Sequence, residues 1–103
     1  LVLTIASGGV MTEIFKDAST VLVPADDISL IAALESLRIA PLFIGFRGGP
    51  AASRVAVLDQ IKCLVSLMES APDILEIEIN PMMVGTDYAC CADALISISS
   101  TAA

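Results

Sequence analysis

A strict alternation of apolar and polar residues between Leu75 and Asn80 limits the possible folds of this chain more than any other pattern in it. Apolar side chains occupy positions 75, 77 and 79, and polar side chains occupy positions 76, 78 and 80. A period of two predicts a β-strand with one buried and one exposed face, which Pro81 ends. A turn at residues 85–87 and a return strand over residues 88–94, which residues 95–99 can extend, are predicted next. We therefore expect a β-hairpin here.

Two segments in the middle of the chain carry apolar residues at helical spacing. The first begins after Asp26, a good N-cap, and is predicted to end near Arg38, before Pro41. The second begins after Ser53 and ends at Ala71. It carries one wide apolar stripe, formed by Val57, Leu58, Ile61, Leu64, Val65 and Met68.

Three short apolar segments before the first helix read as strands: residues 1–5, 10–15 and 20–23. Strands at both ends with two principal helices between them predict an α+β fold, with a mainly antiparallel sheet and the helices on one face. We expect residues 1–103 to form a single domain that is a fragment of a larger protein.

Composition excludes several classes of function. Five basic residues are scattered among twelve acidic ones, so no basic face for nucleic acid is expected. The longest stretch without a charge, residues 1–12, is too short to span a membrane. The absence of histidine excludes a His base, triad or metal ligand within this chain. The three cysteines predict buried, reduced thiols in a cytoplasmic protein rather than a disulfide framework or zinc site.

Asn80 and Asp93 are the most informative polar pair. The predicted hairpin can bring the two side by side, and Glu78 lies on the polar face of the same strand as Asn80. Oxygen ligands of this kind suit Mg²⁺, which nucleotide phosphates help to coordinate. The alternative from spacing alone is an ordinary Asn-Pro turn and a solvated aspartate.

Two glycine-containing loops are further candidates. Glycines around Arg47, in the segment 45–49, would let the backbone approach a phosphate while the guanidinium binds its oxygens. The alternative is a surface loop, and the sequence is not a Walker A motif. Gly8 and Gly9 could close over a nucleotide or simply form a hairpin. Glu13 and Asp17, a little further on, could equally be solvated charges at strand ends.

Taken together, these segments resemble NDP-forming acyl-CoA synthetases, a family that includes ADP-forming acetyl-CoA synthetase and the β subunit of succinyl-CoA synthetase. Residues 8–17 resemble the family's GG-x-x-x-E-x-x-x-D stretch, and Val23-Pro24 resembles its strand ending in proline. The remaining motifs occur in the family's order: residues 42–48 (apolar-x-G-x-R-G), 77–82 (x-N-P-apolar) and 91–94 (apolar-D-A). Ala6 departs from the pattern, because the family often has glycine there.

The resemblance implies the C-terminal part of an ATP-grasp domain, with Mg²⁺ and ATP or ADP as cofactors. The full protein would be an acid–thiol ligase that makes acyl-CoA, ADP and phosphate from an acid, CoA and ATP, through an acyl phosphate and a phosphohistidine. By position, the implied metal ligands are Asn80 and Asp93. The implied nucleotide-side residues, with less direct matches, are Arg47, Gly8, Gly9 and Glu78.

The resemblance also implies partners. The phosphohistidine, the N-terminal ATP-grasp lobe and the CoA-binding domain would lie elsewhere in the same protein or on a partner subunit of an oligomer. The fragment would then be inactive alone. Two alternatives stay open: a non-catalytic regulatory or interaction module of the same fold, as in proteins fused to an acetyltransferase domain, and an unrelated α+β assembly domain.

Overall fold

The chain begins with a two-stranded antiparallel ladder. In this computed structural model, which describes residues 1–8 and 16–99, strand β1 (Val2–Ala6) pairs with β2 (Ala18–Leu22), with Thr4 opposite Thr20. One face of the ladder supplies half-buried side chains to the core, and the other face is exposed. The strand predicted over residues 10–15 lies outside the described residues.

Two helices follow, and the side chains predicted to cap them do so. Helix α1 (Asp27–Glu35) begins where the Asp26 carboxylate accepts the N–H of Ser29 at 2.8 Å. Helix α2 (Arg54–Ser70) begins where the Ser53 hydroxyl accepts the N–H of Ala56 at 3.1 Å. These bonds satisfy amides that the first turn of a helix leaves unpaired.

Helix α1 ends three residues earlier than the predicted end near Arg38. The N–H groups of Arg38 and Ile39 donate to the carboxylate of Asp17, at 2.7 and 3.2 Å, rather than to carbonyls of the helix. A residue 21 positions earlier therefore takes the two amides that would continue the helix, and helical periodicity carries no sign of this contact.

The core lies between the two helices and the β1–β2 ladder. Helix α1 contacts both β2 and α2. The buried cluster contains Leu30, Leu34 and Leu37 from the first helix and its end, and Val57, Leu58 and Ile61 from the second. Half-buried residues of the ladder, including Leu3, Ile5 and Val21, close it on one side. The predicted stripe of α2 is thus confirmed at its N-terminal half.

The C-terminal third is a long hairpin that forms two successive ladders. Strand β3 (Ile74–Ile79) pairs with β6 (Ala94–Ile98), and β4 (Met82–Val84) pairs with β5 (Ala89–Cys91). Both ladders are antiparallel and keep one register from Glu76 to the turn. The predicted single return strand is therefore divided, since Pro81 has no N–H to continue the ladder.

A register shift between Ile74 and Glu76 changes one detail of the predicted alternation. Leu75 was expected on the buried face with Ile77 and Ile79, but its side chain is 64% exposed, whereas Ile74 is half-buried. A bulge of this kind arises from strand pairing, so the alternation of residue types does not reveal it.

The predicted α+β class with antiparallel strands and two principal helices is confirmed. The strands nevertheless form three two-stranded sheets within the described residues, rather than one. The chain is elongated, at 55 × 29 × 21 Å, and every residue of β6 is exposed.

The cysteine prediction was wrong: Cys63, Cys90 and Cys91 are all free but exposed. In residues 1–8 and 16–99 no helix combines the length and apolarity needed to cross a membrane.

Candidate functional site

Asn80 and Asp93 lie opposite each other where the two ladders of the hairpin meet. Asn80 follows the last residue of β3, and Asp93 precedes the first residue of β6. The N–H of Asn80 donates to the carbonyl of Asp93 at 3.1 Å. One residue further along, the N–H of Ala92 donates to the carbonyl of Pro81 at 3.0 Å. The hairpin thus brings together the pair that the sequence singled out.

Glu78 shares this part of the surface with the pair. Alternation along β3 places the side chains of Glu78 and Asn80 on one face, next to that of Asp93 on the facing arm. A shallow concavity there is lined by Glu78, Asn80, Asp93, Ala94 and Leu95. The three polar residues are exposed, so their oxygens reach solvent. The result is a small, open group of oxygen donors.

The Asp93 carboxylate is oriented by its own backbone neighbourhood. Its Oδ1 accepts the N–H of Ala94 at 2.9 Å, at the point where β6 begins. A bond of this type restricts the rotation of a short side chain. One carboxylate oxygen is thereby fixed beside the start of the strand, next to Asn80.

The donor set fits a cation that takes few ligands from the protein. Across the described part of the chain, no three Asp, Glu, Cys or His residues lie close enough to enclose a metal ion. Mg²⁺ is commonly bound by one or two carboxylates together with waters and substrate phosphates, in place of an all-protein cage. Two or three oxygen donors on an open face are compatible with that mode.

Arg47 lies elsewhere, in a loop built from unusual backbone conformations. Gly45 and Gly48 have φ values of 105° and 74°, and Arg47 itself has a φ of 52°. A Cβ on Gly45 would stand 2.8 Å from the carbonyl oxygen of Gly49, which explains the glycine. The Arg47 guanidinium carbon lies 5.2 Å from the centre of the Phe46 ring. Arg47 is exposed and does not line the concavity beside Asn80.

The glycine pair is described only in part. Gly8 is exposed, with open space where a Cβ would stand, whereas Gly9 and Glu13 lie outside the described residues. Gly8 does not line the concavity of Asn80 either. The structure therefore brings Glu78, Asn80 and Asp93 together and places Arg47 and Gly8 apart from them.

Asp17 is the residue whose importance sequence reasoning missed. The alternative of a solvated charge is wrong, because Asp17 is only 6% exposed and is the one buried polar residue among those described. Its two carboxylate oxygens accept consecutive backbone N–H groups, those of Arg38 and Ile39. Its place in the GG-x-x-x-E-x-x-x-D stretch was the available signal, but nothing local indicates burial.

The ATP-grasp family profile matches residues 1–98. The chain belongs to the ATP-grasp domain family. Among curated relatives, it is 31% identical over 87 residues to the β subunit of an ADP-forming acetate–CoA ligase from Pyrococcus furiosus, covering 84% of this chain and 38% of that subunit. It is 34% identical over 77 residues to a trans-feruloyl-CoA synthase of an unknown prokaryote, covering 75% of this chain and 11% of that enzyme.

Solved structures show the same fold. A dinucleotide-forming acetyl-CoA synthetase of Ca. Korarchaeum cryptofilum, in complex with coenzyme A and Mg-AMPPCP, matches with a TM-score of 0.88 at 22% identity, over 95% of this chain and 46% of that one. A Pyrococcus horikoshii protein matches with a TM-score of 0.84 at 23% identity, over 95% and 42%. The resemblance to NDP-forming acyl-CoA synthetases is confirmed, and this ATP-grasp chain spans less than half the length of each of these relatives.

Proposed function

We propose that this chain is the C-terminal part of the ATP-grasp domain of an NDP-forming acyl-CoA synthetase, and that it contributes Asn80 and Asp93 as Mg²⁺ ligands for the bound nucleotide. The observation that carries the proposal is the pairing of Asn80 with Asp93 through a 3.1 Å backbone hydrogen bond, with Glu78 on the same open face. The hairpin register alone holds the donors together, so no ligand is needed to assemble them.

Glu78 supports this site in our proposal without being required as a ligand. Its carboxylate adds negative charge to a face that already carries Asp93. Adjacent like charges attract a divalent cation and are destabilising without one. Asn80 and Asp93 would hold Mg²⁺ at the end of β3, where the ion would supply positive charge against the nucleotide phosphates.

Arg47 and the Gly8–Gly9 pair are proposed as phosphate-side elements outside the metal-binding face. Arg47 is exposed on a loop that places Gly45 and Gly48 at positive φ, and the N–H of Gly49 donates to the carbonyl of Phe46 at 2.9 Å across it. A planar guanidinium binds two phosphate oxygens at once. We expect the nucleotide to contact both areas, and the rest of the ATP-grasp domain to complete its binding site.

The remainder of the reaction is assigned to parts of the protein beyond this chain. Its relatives include acetate–CoA and feruloyl-CoA ligases, and the Korarchaeum synthetase carries coenzyme A and a phosphohistidine segment. We propose that the parent protein is a cytoplasmic acid–thiol ligase, in which a CoA-binding domain and an N-terminal ATP-grasp lobe, on the same chain or a partner subunit, complete the site. The isolated chain would bind nucleotide without turnover.

A titration with MgADP tests the metal-ligand assignment. Amide chemical shifts of the 103-residue chain would be recorded for the wild type, Asn80→Ala and Asp93→Ala, with Asp59→Asn as a control at an exposed position of α2. We expect Mg²⁺-dependent shifts around residues 78–80 and 93–95. Each alanine variant should weaken binding by about tenfold or more, as loss of groups that hold a metal site typically does.

Two results would contradict the proposal. Binding in both alanine variants equal to the wild type would remove Asn80 and Asp93 from the site. A wild-type chain that shows no Mg²⁺-dependent response to ADP at any concentration would favour the non-catalytic module of the same fold. The Asp59→Asn control must bind as the wild type does, because it removes one negative charge, as Asp93→Ala does, but at a position away from the concavity.

A further inference from the structure

We propose that Asp17 is a positioning residue that holds Gly8 and the Arg47 loop in a fixed spatial relation. This inference rests on the proposed function, because both elements are assigned there to the phosphate side of the nucleotide. Asp17 is 6% exposed. Its backbone carbonyl accepts the N–H of Ser7, next to Gly8, and its side chain accepts the N–H of Arg38, in the segment that leads to the Arg47 loop.

The backbone of Asp17 closes the end of the β1–β2 ladder. Its carbonyl accepts the N–H of Ser7 at 2.9 Å, just beyond the pairing of Ala6 with Ala18. Gly8 is the next residue after Ser7, so the chain enters the glycine pair from a point hydrogen-bonded to Asp17.

The side chain of Asp17 holds the base of the Arg47 loop through successive hydrogen bonds. Asp17 Oδ2 accepts the N–H of Ile39, whose carbonyl accepts the N–H of Leu42 at 2.9 Å in the 3₁₀ helix Ala40–Phe43. The carbonyl of Leu42 in turn accepts the N–H of Ala52 at 2.8 Å, which closes the base of the loop. Moving the carboxylate would therefore move both ends of the segment that carries Arg47.

The chemistry of the contact favours a carboxylate at this position. Two consecutive N–H groups between α1 and the 3₁₀ helix point at one side chain, and a carboxylate offers each of them an acceptor oxygen. Charge-assisted bonds to backbone amides are shorter and stronger than neutral ones. The substitution Asp17→Asn would keep the shape of the side chain but turn an NH₂ group toward one of those amides.

The experiment compares the wild type with Asp17→Asn, and uses Asp59→Asn as the matched control. Without ligand, we expect Asp17→Asn to shift the amides of residues 45–49 as well as those of Arg38 and Ile39, while Asp59→Asn leaves both regions unchanged. With MgADP, we expect about tenfold weaker binding in Asp17→Asn, the lower end of the loss found when groups that orient metal ligands are removed. Broadening of Asn80 and Asp93 by Mn²⁺ alone should persist.

The outcomes separate this inference from the proposed function. Shifts confined to Arg38 and Ile39, with unchanged MgADP binding, would reduce Asp17 to a local structural role and overturn the inference. If the wild type fails to bind MgADP, the proposed function fails, whereas the ligand-free shifts of residues 45–49 still decide whether Asp17 positions the loop. If Asp17→Asn does not fold, hydrogen exchange in the wild type decides: slow exchange at Arg38 and Ile39 supports the contact, and fast exchange overturns it.

Discussion

Replacing Leu34 with alanine is expected to remove a large part of the stability of this chain. Leu34 is 1% exposed and lies in the cluster formed by α1 and α2. The substitution removes the equivalent of about three methylene groups at roughly 0.8 kcal/mol each, or about 2.4 kcal/mol. The cavity that remains raises the loss to about 3 kcal/mol, within the range found for buried leucines.

Ile28 provides a matched control on the same helix. Its side chain is 79% exposed, so Ile28→Ala removes a similar number of carbons without opening a cavity. Its effect should stay within about 0.5 kcal/mol, and the higher helix propensity of alanine favours the variant slightly. The difference in unfolding free energy between Leu34→Ala and Ile28→Ala therefore reports how much the burial of Leu34 contributes.

Urea unfolding followed by circular dichroism gives the required free energies. A small domain has a dependence on urea of about 1–3 kcal/mol per molar, so Leu34→Ala should lower the midpoint by about 1–3 M. The midpoint of Ile28→Ala should remain close to that of the wild type. A loss below about 1 kcal/mol for Leu34→Ala, or equal losses for the two variants, would refute the placement of the core between α1 and α2.

Two further predictions concern the loop and a helix cap. Gly45→Ala should destabilise the chain by about 1–3 kcal/mol, because φ at Gly45 is 105° and the new Cβ would meet the Gly49 carbonyl. Gly8→Ala, which places its Cβ in open space, should unfold at the wild-type midpoint. Equal effects of the two substitutions would contradict the described loop. Hydrogen bonds from Ser29, the side-chain bond first and the backbone bond second, hold the pKa of the Asp26 carboxyl below its ordinary value of 3.8. The stability that Asp26 contributes is therefore present above pH 3.8 and is lost as the pH falls below it. Thermal unfolding between about pH 2 and 6 checks this: Asp26→Asn, which caps without titrating, should lose less stability than the wild type in that acid range, and parallel curves would contradict the assignment.

The parts of the fold that depend on neighbouring residues could be predicted from the sequence. Asp26 and Ser53 cap their helices because an N-cap acts within one helical turn. Strand β3 follows from alternation, and the turn at residues 85–87 sets the register that pairs Asn80 with Asp93. The candidate metal ligands were therefore found through a local pattern and one hairpin.

The features that sequence reasoning missed depend on contacts between distant residues. Asp17 accepts the N–H of Arg38, just beyond the end of α1, from 21 positions away, and no local preference encodes that bond. The register shift that exposes Leu75 arises in the pairing with β6. The cysteines were expected to be buried because cysteine is a small residue typical of cores, but the face of α2 that carries Cys63 and the strand β5 that carries Cys90 and Cys91 leave them exposed.

The position of a bound Mn²⁺ ion shows whether Asn80 and Asp93 form the metal site. Paramagnetic broadening of amide signals falls steeply with distance from the ion, so a spectrum of the wild-type chain with trace Mn²⁺ and ADP locates the metal. We expect broadening centred on Asn80 and Asp93, extending to Glu78 and strengthened by ADP. Broadening centred on another acidic stretch, such as Asp26 and Asp27, or spread evenly over the acidic surface, would contradict it.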